Sequence, residues 1–322
     1  MIDVTAAIIV QSGKVLAARR KPGKHLSGYW EFPGGKIEKG ESPEECLVRE
    51  LSEELGIEVR VNAFIGESKF DYGNKYIRLL AYKVEHVSGD FKLLDHDEIR
   101  WLAMCELDDL EWAPADLPII KQYKAIASTF SYYENNASEY CNETINFDVR
   151  DLYENFLDAI PKKGHILDLG CGSGRDSKAF LKLGYQVTAL DLNAQIAEYA
   201  QQVIGRSVKV HVMDFQEMEY IEKFEGIWAC ASLLHCTDSQ NEKVLEKISI
   251  ALKQHGVAFF SFKWGEEESI DIKGRYFNNF TKSSLMEILE KTGKFEILKI
   301  WTLIAPLRGS EQKWVNALVK RL

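Results

Sequence analysis

The sequence predicts an α/β protein made of two units in series: a small strand-rich unit with one strong helix, then a parallel sheet wrapped by helices. Three observations lead there. The chain has 322 residues, more than the roughly 250–300 that a single hydrophobic core usually serves. Hydrophobic residues make up 46% and charged residues 28%, which is ordinary for a globular chain and excludes a disordered one. The hydrophobic rhythm also changes near residue 160: HILDLG, YQVTALD, VKVHVMD, GIWACASL and VAFFSFK are short apolar runs separated by helix-length stretches. That alternation is the mark of a parallel sheet with crossover helices.

In the first unit TAAIIV and KVLAARR read as a strand pair around the turn QSG, and YIRLLAYKV and EIRWLA as later strands. Between them lies the helix. Ser42 is a suitable N-cap, Pro43 suits the first helical position, Glu45 completes a capping box, and Gly56 supplies the stop. Leu47, Leu51 and Leu55 recur every four residues and form an apolar stripe for the core. The segment 121–150 is polar and aromatic but poor in Pro and Gly; a boundary there gives units 1–128 and 129–322. Its Tyr132, Tyr133 and Tyr140 belong either to a helix covering the second unit or to a plain tether. The last two strands, FEILKIWTLI and WVNALVKRL, are joined by a short Gly-containing loop with no helix-length crossover, so they can pair antiparallel.

No apolar run approaches the ~18–20 residues that span a bilayer, and the N-terminus lacks the basic start and long apolar block of a secretory signal. The six cysteines include no CxxC and read as reduced thiols, so a cytoplasmic protein is expected. A net charge of −9 gives no bulk attraction for nucleic acid.

Glu50, Glu53 and Glu54 stand at i, i+3 and i+4 and share a helix face away from the leucine stripe. Gly34-Gly35 lies before the helix and lets backbone carbonyls approach a small ion. Clustered carboxylates repel one another, by about 4 kcal/mol for a pair ~4 Å apart at an effective dielectric near 20. A hard cation such as Mg²⁺ removes the repulsion, keeps several waters and bridges to substrate phosphates. Arg49 can hold the carboxylates by bidentate pairing.

Gly35, five residues, Glu41, seven residues, then Arg49-Glu50-Leu51-x-Glu53-Glu54-x-Gly56-Ile57 resembles the box of the Nudix hydrolases. The resemblance covers roughly residues 2–126. It implies an α/β/α sandwich that hydrolyses nucleoside diphosphate derivatives, with Glu50, Glu53, Glu54 and the Gly35 carbonyl as ligands of Mg²⁺ (or Mn²⁺), Arg49 orienting carboxylates and Glu53 activating water. The flanks are similar to the MutT-like branch, which cleaves nucleoside triphosphates to monophosphate and pyrophosphate. There Arg20, in the Arg19-Arg20 pair, would contact phosphates, Asp95 or else Glu98 would be an extra acidic ligand or base, and Asp116 would read the base edge. An Asn is the better-known residue at that last place, so base identity stays open; a helix N-cap role for Asp116 is the alternative.

The second constellation is HILDLGCGSGRDSKAF. Gly170, Gly172 and Gly174 permit a sharp turn that exposes amides at a helix start, and Asp191 ends the next strand, where a carboxylate can accept two ribose hydroxyls. The third glycine comes one place early for a dinucleotide fingerprint, and Asp168 suits a cationic amine better than a pyrophosphate. D-x-G-x-G-x-G, with Asp214-Phe215 after the third strand, resembles the class I S-adenosylmethionine (SAM)-dependent methyltransferases over roughly 130–322. This implies a Rossmann-like seven-stranded domain with SAM as cofactor, Asp214 and Phe215 at the adenine, and a small-molecule methyl acceptor. His235, after the fourth strand, is a candidate base or substrate contact, or else a packed histidine. Lys263, Trp264, Arg275 and Trp314 are candidates for an acceptor pocket. Arg175 either caps the loop or pairs with Asp176.

The expected protein is therefore bifunctional, a nucleoside triphosphate pyrophosphohydrolase joined to a methyltransferase. The alternative is a Nudix domain serving as nucleotide sensor for a methyltransferase acting on RNA or a nucleotide metabolite. Oligomeric state and acceptor identity are not encoded in any motif.

Overall fold

The computed structural model describes residues 1–73, 75–307 and 310–322. The chain divides into two compact units, Met1–Lys124 and Ala125–Leu322. The first contains β1 (Ile2–Gln11), β2 (Lys14–Arg20), β3 (Trp30–Glu31), α1 (Pro43–Leu55), β4 (Glu58–Asp71), β5 (Tyr76–Ser88) and β6 (His96–Leu102). Its sheet runs β3-β2-β1-β5-β4, with β6 also paired to β2.

The β1–β2 hairpin is shorter than expected. It pairs only at Val10↔Val15 and Gln11↔Lys14, whereas β1 runs parallel to β5 from Ile2↔Ile77 to Ile9↔Val84. The reason is that the β1 amides of Thr5 and Ala7 bond to the carbonyls of Gly35 and Pro33 at 2.8 Å each. That edge of β1 is committed to the segment carrying the double glycine.

Helix α1 starts and stops where its sequence dictates. The Ser42 hydroxyl accepts the Glu45 amide at 3.1 Å, and the Glu45 carboxylate accepts the Ser42 amide at 2.8 Å. Gly56 closes the helix at φ 68°, a left-handed conformation that favours glycine. Leu47, Leu51 and Leu55 are fully buried against Ala7, Ile9 and Leu16.

The β2–β6 ladder carries a bulge: Arg19 faces Glu98 but Arg20 faces His96. Asp97 is the extra residue, so Asp97 and Glu98 both reach Arg19, at 2.8 and 2.9 Å. A bulge shifts the inside–outside alternation of a strand, and here it puts His96 beside Arg20.

Helix α2 (Asp116–Thr144) departs from helical geometry at Asn136. Then follow α3 (Arg150–Leu157), β7 (His165–Leu169), α4 (Arg175–Lys182), β8 (Gln186–Asp191), α5 (Ala194–Ile204), β9 (Val210–Val212), β10 (Phe224–Cys230), α6 (Asp238–Ala251), β11 (Leu252–Lys263), β12 (Ser269–Ile270), β13 (Tyr276–Phe277), α7 (Lys282–Thr292), β14 (Phe295–Leu307) and β15 (Ser310–Arg321). Seven strands form one sheet in the order β14-β15-β11-β10-β7-β8-β9. Strands β7 to β11 in it are parallel; β15 is antiparallel to both β11 and β14, as the missing crossover implies. Their connecting loop, with Arg308 and Gly309, lies outside the described residues. Strand order reverses between β7 and β10, which opens the crevice where ligands bind in such sheets. Trp228 stacks on Phe259 at 4.1 Å in the core beneath it. No described helix is long and apolar enough to cross a membrane.

Leu51→Ala is expected to cost about 2–5 kcal/mol in the unfolding of the first unit. Val48→Ala, at a side chain 45% exposed on the same helix, should stay within about 0.5 kcal/mol. Guanidinium unfolding followed by circular dichroism compares the two.

Candidate functional site

In the first unit, α1 projects its carboxylates toward the segment ending in Gly35. A side chain at Gly35 would collide with the Glu50 carboxylate, so glycine is required for Glu50 to sit there. The Gly35 carbonyl itself accepts the Thr5 amide at 2.8 Å and the Thr5 hydroxyl at 3.2 Å. Arg49 grips Glu41 with two bonds of 2.8 and 2.9 Å, and this hydrogen bonding holds the Glu41 carboxyl down at about 2. The same guanidinium reaches Glu50 at 2.9 Å and Glu53 at 3.3 Å. Glu53 is the open member of the set, its side chain 62% exposed.

Glu54 is the opposite case. Burial pushes its carboxyl up to about 7; the His96 ring opposes this, and the charges of Glu31, Glu50 and Asp95 add to it. Its Oε2 is buried and has no hydrogen-bond partner among the described residues. A buried carboxylate among carboxylates calls for a proton or a cation, and the donor set is of hard oxygens, which suits Mg²⁺. Among the described residues no three acidic, His or Cys side chains already converge at ligand distance; Arg49 pairs with both Glu50 and Glu53.

The remaining expected residues divide by face. Asp95 pairs with Lys24 at 2.5 Å. Glu98 pairs with Arg19 and, at 2.6 Å, with Arg100, on the face opposite Arg20. Arg20 pairs with Glu31, whose other oxygen meets His96 Nε2 at 2.9 Å. Asp116 is buried, and its Oδ1 accepts the Phe32 amide at 2.9 Å rather than an amide of its own helix. Burial, then the Glu31 charge, pushes its carboxyl well above the carboxylate range. Glu31 and His96 were not singled out from sequence. The signal that was available is only that His96 stands between the two acids that were, and the bulge that re-aims it leaves no mark in composition.

In the second unit Gly170, Gly172 and Gly174 have φ of 76°, 52° and 75°. A Cβ at Gly170 would strike Ser232 and crowd Phe215; this is how Phe215 and the loop share one wall. The Gly172 amide donates to Asp191 Oδ2 at 3.0 Å, and the Asn193 amide to Oδ1 at 3.0 Å; burial still pushes Asp191 up to about 6. Asp214 accepts the Gln216 amide at 2.8 Å.

Arg175 resolves its two alternatives by pairing with Asp176, at 2.6 and 2.9 Å. Tyr153 and Trp228 also donate to Asp176, at 2.7 and 2.8 Å. Asp176 is buried, yet these partners hold it below its usual range. Asp168 accepts the Ser177 hydroxyl, at 2.6 Å; burial and then the Asp176 charge push it up to about 7.

A cavity of about 560 Å³ extends from the glycine loop to Tyr133, His235, Lys263 and Arg275. Trp314 lines it too, but Trp264 does not; Trp264 is 39% exposed, with Lys313 over its ring at 4.0 Å. His235 Nδ1 lies 2.6 Å from the Tyr276 carbonyl. A carbonyl can only accept, so Nδ1 carries the hydrogen. Burial pushes the imidazole down to about 4, so the ring is neutral and Nε2 accepts the Tyr133 hydroxyl at 2.8 Å. The partnership of Tyr133 with His235, 102 residues apart, was not legible from sequence. All six cysteines are free of disulfides.

Comparison with known proteins matches residues 1–123 to the family described as NUDIX domain and residues 166–256 to the one described as methyltransferase domain. A CTP pyrophosphohydrolase of Escherichia coli is 38% identical over 39% of this chain and 93% of its own. A putative 8-oxo-dGTP diphosphatase of Mycobacterium tuberculosis is 40% identical over 35% of this chain and 81% of its own. The crystal structure of a Burkholderia thailandensis 1,6-didemethyltoxoflavin-N1-methyltransferase, 21% identical, superposes at a TM-score of 0.52 over 65% of this chain and 92% of that one, a likeness of fold.

Asp168 keeps its proton in the folded chain up to about 7, against an ordinary value of 3.8. Between those values the folded state binds more protons than the unfolded, so stability falls as pH rises through that window. Asp168→Asn should flatten that slope, gaining stability relative to the parent protein as pH rises from 4 to 7. Urea unfolding across that range measures it.

Proposed function

The chain belongs to the Nudix family through its first domain and carries a methyltransferase domain behind it, and from that premise we propose two chemistries in one enzyme. The first domain hydrolyses a nucleoside triphosphate to monophosphate and pyrophosphate with Mg²⁺, or Mn²⁺ in its place. The second transfers a methyl group from SAM to a small molecule.

The observation that carries the first activity is the buried, unpartnered Glu54 oxygen beside Glu50 and Asp95. Glu50, Glu53 and Glu54 would hold the ion, which supplies positive charge for a phosphoryl oxygen and a bound water. Arg49 keeps Glu41 ionised and presents Glu50 and Glu53 on one side. Glu53, exposed and bound only by the longer Arg49 contact, orients and deprotonates the attacking water. Asp95 and Glu98 are engaged by basic partners and serve as secondary acids. Burial pushes the Asp116 carboxyl up, and in its protonated form it would both donate and accept at a base edge, which an ionised carboxylate cannot. CTP and 8-oxo-dGTP, named in the relatives' activities, are the substrates to try first.

In the second domain Gly170 and Gly172 bring the loop backbone to the cavity wall, Asp191 accepts the ribose hydroxyls, and Asp214 with Phe215 flanks the adenine. SAM supplies a methyl group on a sulfonium, and the transfer needs mainly alignment. A cationic amine at the loop would draw the proton from Asp168. His235 has both ring nitrogens engaged inside the protein, so it positions Tyr133, whose hydroxyl faces the acceptor.

A screen of nucleoside triphosphates with Mg²⁺ for pyrophosphate release tests the first activity. Glu53→Gln should lower kcat by roughly 10²-fold or more while SAM affinity, measured by calorimetry, stays unchanged. Asp191→Ala should weaken SAM by about 10–100-fold, the loss expected for hydrogen bonds to a charged acceptor, and leave pyrophosphate release intact.

A further inference from the structure

Among the described residues, the buried polar atoms of the first domain without hydrogen-bond partners include Glu54 Oε2, His96 Nδ1 and Arg20 Nε. They belong together. Arg20 and His96 are opposed across the β2–β6 bulge, and Glu31 bonds to both. The Leu94 amide donates to the Glu54 carbonyl at 3.1 Å, which ties the start of β6 to the end of α1. The charge of a protonated His96 would lower the Glu54 carboxyl, which puts the two side chains within electrostatic reach.

The tautomer of His96 follows from its neighbour. Nε2 meets a carboxylate oxygen of Glu31 at 2.9 Å, and a carboxylate only accepts, so Nε2 carries the hydrogen. In the neutral ring Nδ1 is then a bare lone pair inside the protein. It cannot bond to an ionised Glu54, because neither atom has a hydrogen to give. A carboxylate that fixes the far nitrogen of a histidine while the near one is left as a lone pair is the arrangement found behind metal-binding histidines.

We propose that His96 Nδ1 is a nitrogen ligand of the divalent-cation site formed with Glu54, and that Glu31 orients it. This rests on the reading that the acidic cluster of α1 binds a cation. A mixed site of imidazole and carboxylate favours Mn²⁺ or Co²⁺ over Mg²⁺ more than an all-oxygen site does. Neither the box spacing nor the acidic pattern contains this residue, since the bulge at Asp97 is what aims it.

The test uses the full chain stripped with a chelator, with Mn²⁺ binding followed by electron paramagnetic resonance and Mg²⁺ by competition. His96→Asn should weaken Mn²⁺ at least ~10-fold and Mg²⁺ by no more than about twofold, and Glu31→Gln should follow the same pattern less strongly. Pulsed resonance on the unaltered protein with Mn²⁺ should show coupling to an imidazole nitrogen, a readout that does not depend on any variant folding. Absence of that coupling, or equal changes for both ions, overturns the proposal; a buried water joining the three atoms would give this result. Glu54→Gln separates the two readings. If it weakens both ions while His96→Asn weakens neither, only the histidine ligand fails. If it too changes nothing, the cation site itself fails.

Discussion

A carboxylate taken out of water must find a cation, a donor or a proton, and both sites of this chain are organised around one that is left short. In the first domain Arg49 serves Glu41, Glu50 and Glu53, Arg20 serves Glu31, and Glu54 receives neither. In the second, Arg175, Tyr153 and Trp228 all serve Asp176, while Asp168 is served by Ser177, which brings no charge. The basic residues are close by in each case but committed elsewhere. The effective cost of an uncompensated buried ion is several kcal/mol, so a cationic ligand arriving at either carboxyl gains an attraction the fold has not already used.

The parts of this arrangement that were legible in the sequence are those fixed by local chemistry. Ser42, Pro43, Glu45 and Gly56 set the ends of α1 because capping acts within one turn, and the leucines at every fourth position set which face is buried. That alone places Glu50, Glu53 and Glu54 together. The glycine loop was legible for the same reason: a left-handed φ at three alternate residues is a local demand that glycine meets most easily. The antiparallel closing strands followed from a loop too short for a crossover.

What was not legible depends on pairing across distance. β1 looked like one arm of a hairpin, but its amides go to Pro33 and Gly35, and no periodicity shows which edge of a strand a loop will take. The family resemblance offered Asp95, or else Glu98, for the acidic site. One extra residue in the ladder changes that, turning Glu98 to Arg19 and His96 to Arg20. Arg175 sits directly before Asp176 in sequence, yet its choice of partner is settled by Tyr153 and Trp228 converging on that same carboxylate.

The two histidines near the proposed chemistry show why residue type is a poor guide and wiring a better one. His235 was the candidate from sequence. Its Nδ1 hydrogen goes to a carbonyl and its Nε2 lone pair to a phenol, so the ring has nothing left to offer a ligand, and burial keeps it neutral. His96 is more deeply buried, at 2% exposure, and drew no attention in the sequence. Its hydrogen is likewise spent on a protein acceptor, but its lone pair has no donor in reach among the described residues. A neutral imidazole has one hydrogen and one lone pair; once the fold takes the hydrogen, the fate of the lone pair decides whether the residue positions a neighbour or binds a ligand. By that criterion His235 is part of the wall, and His96 belongs to the acidic centre.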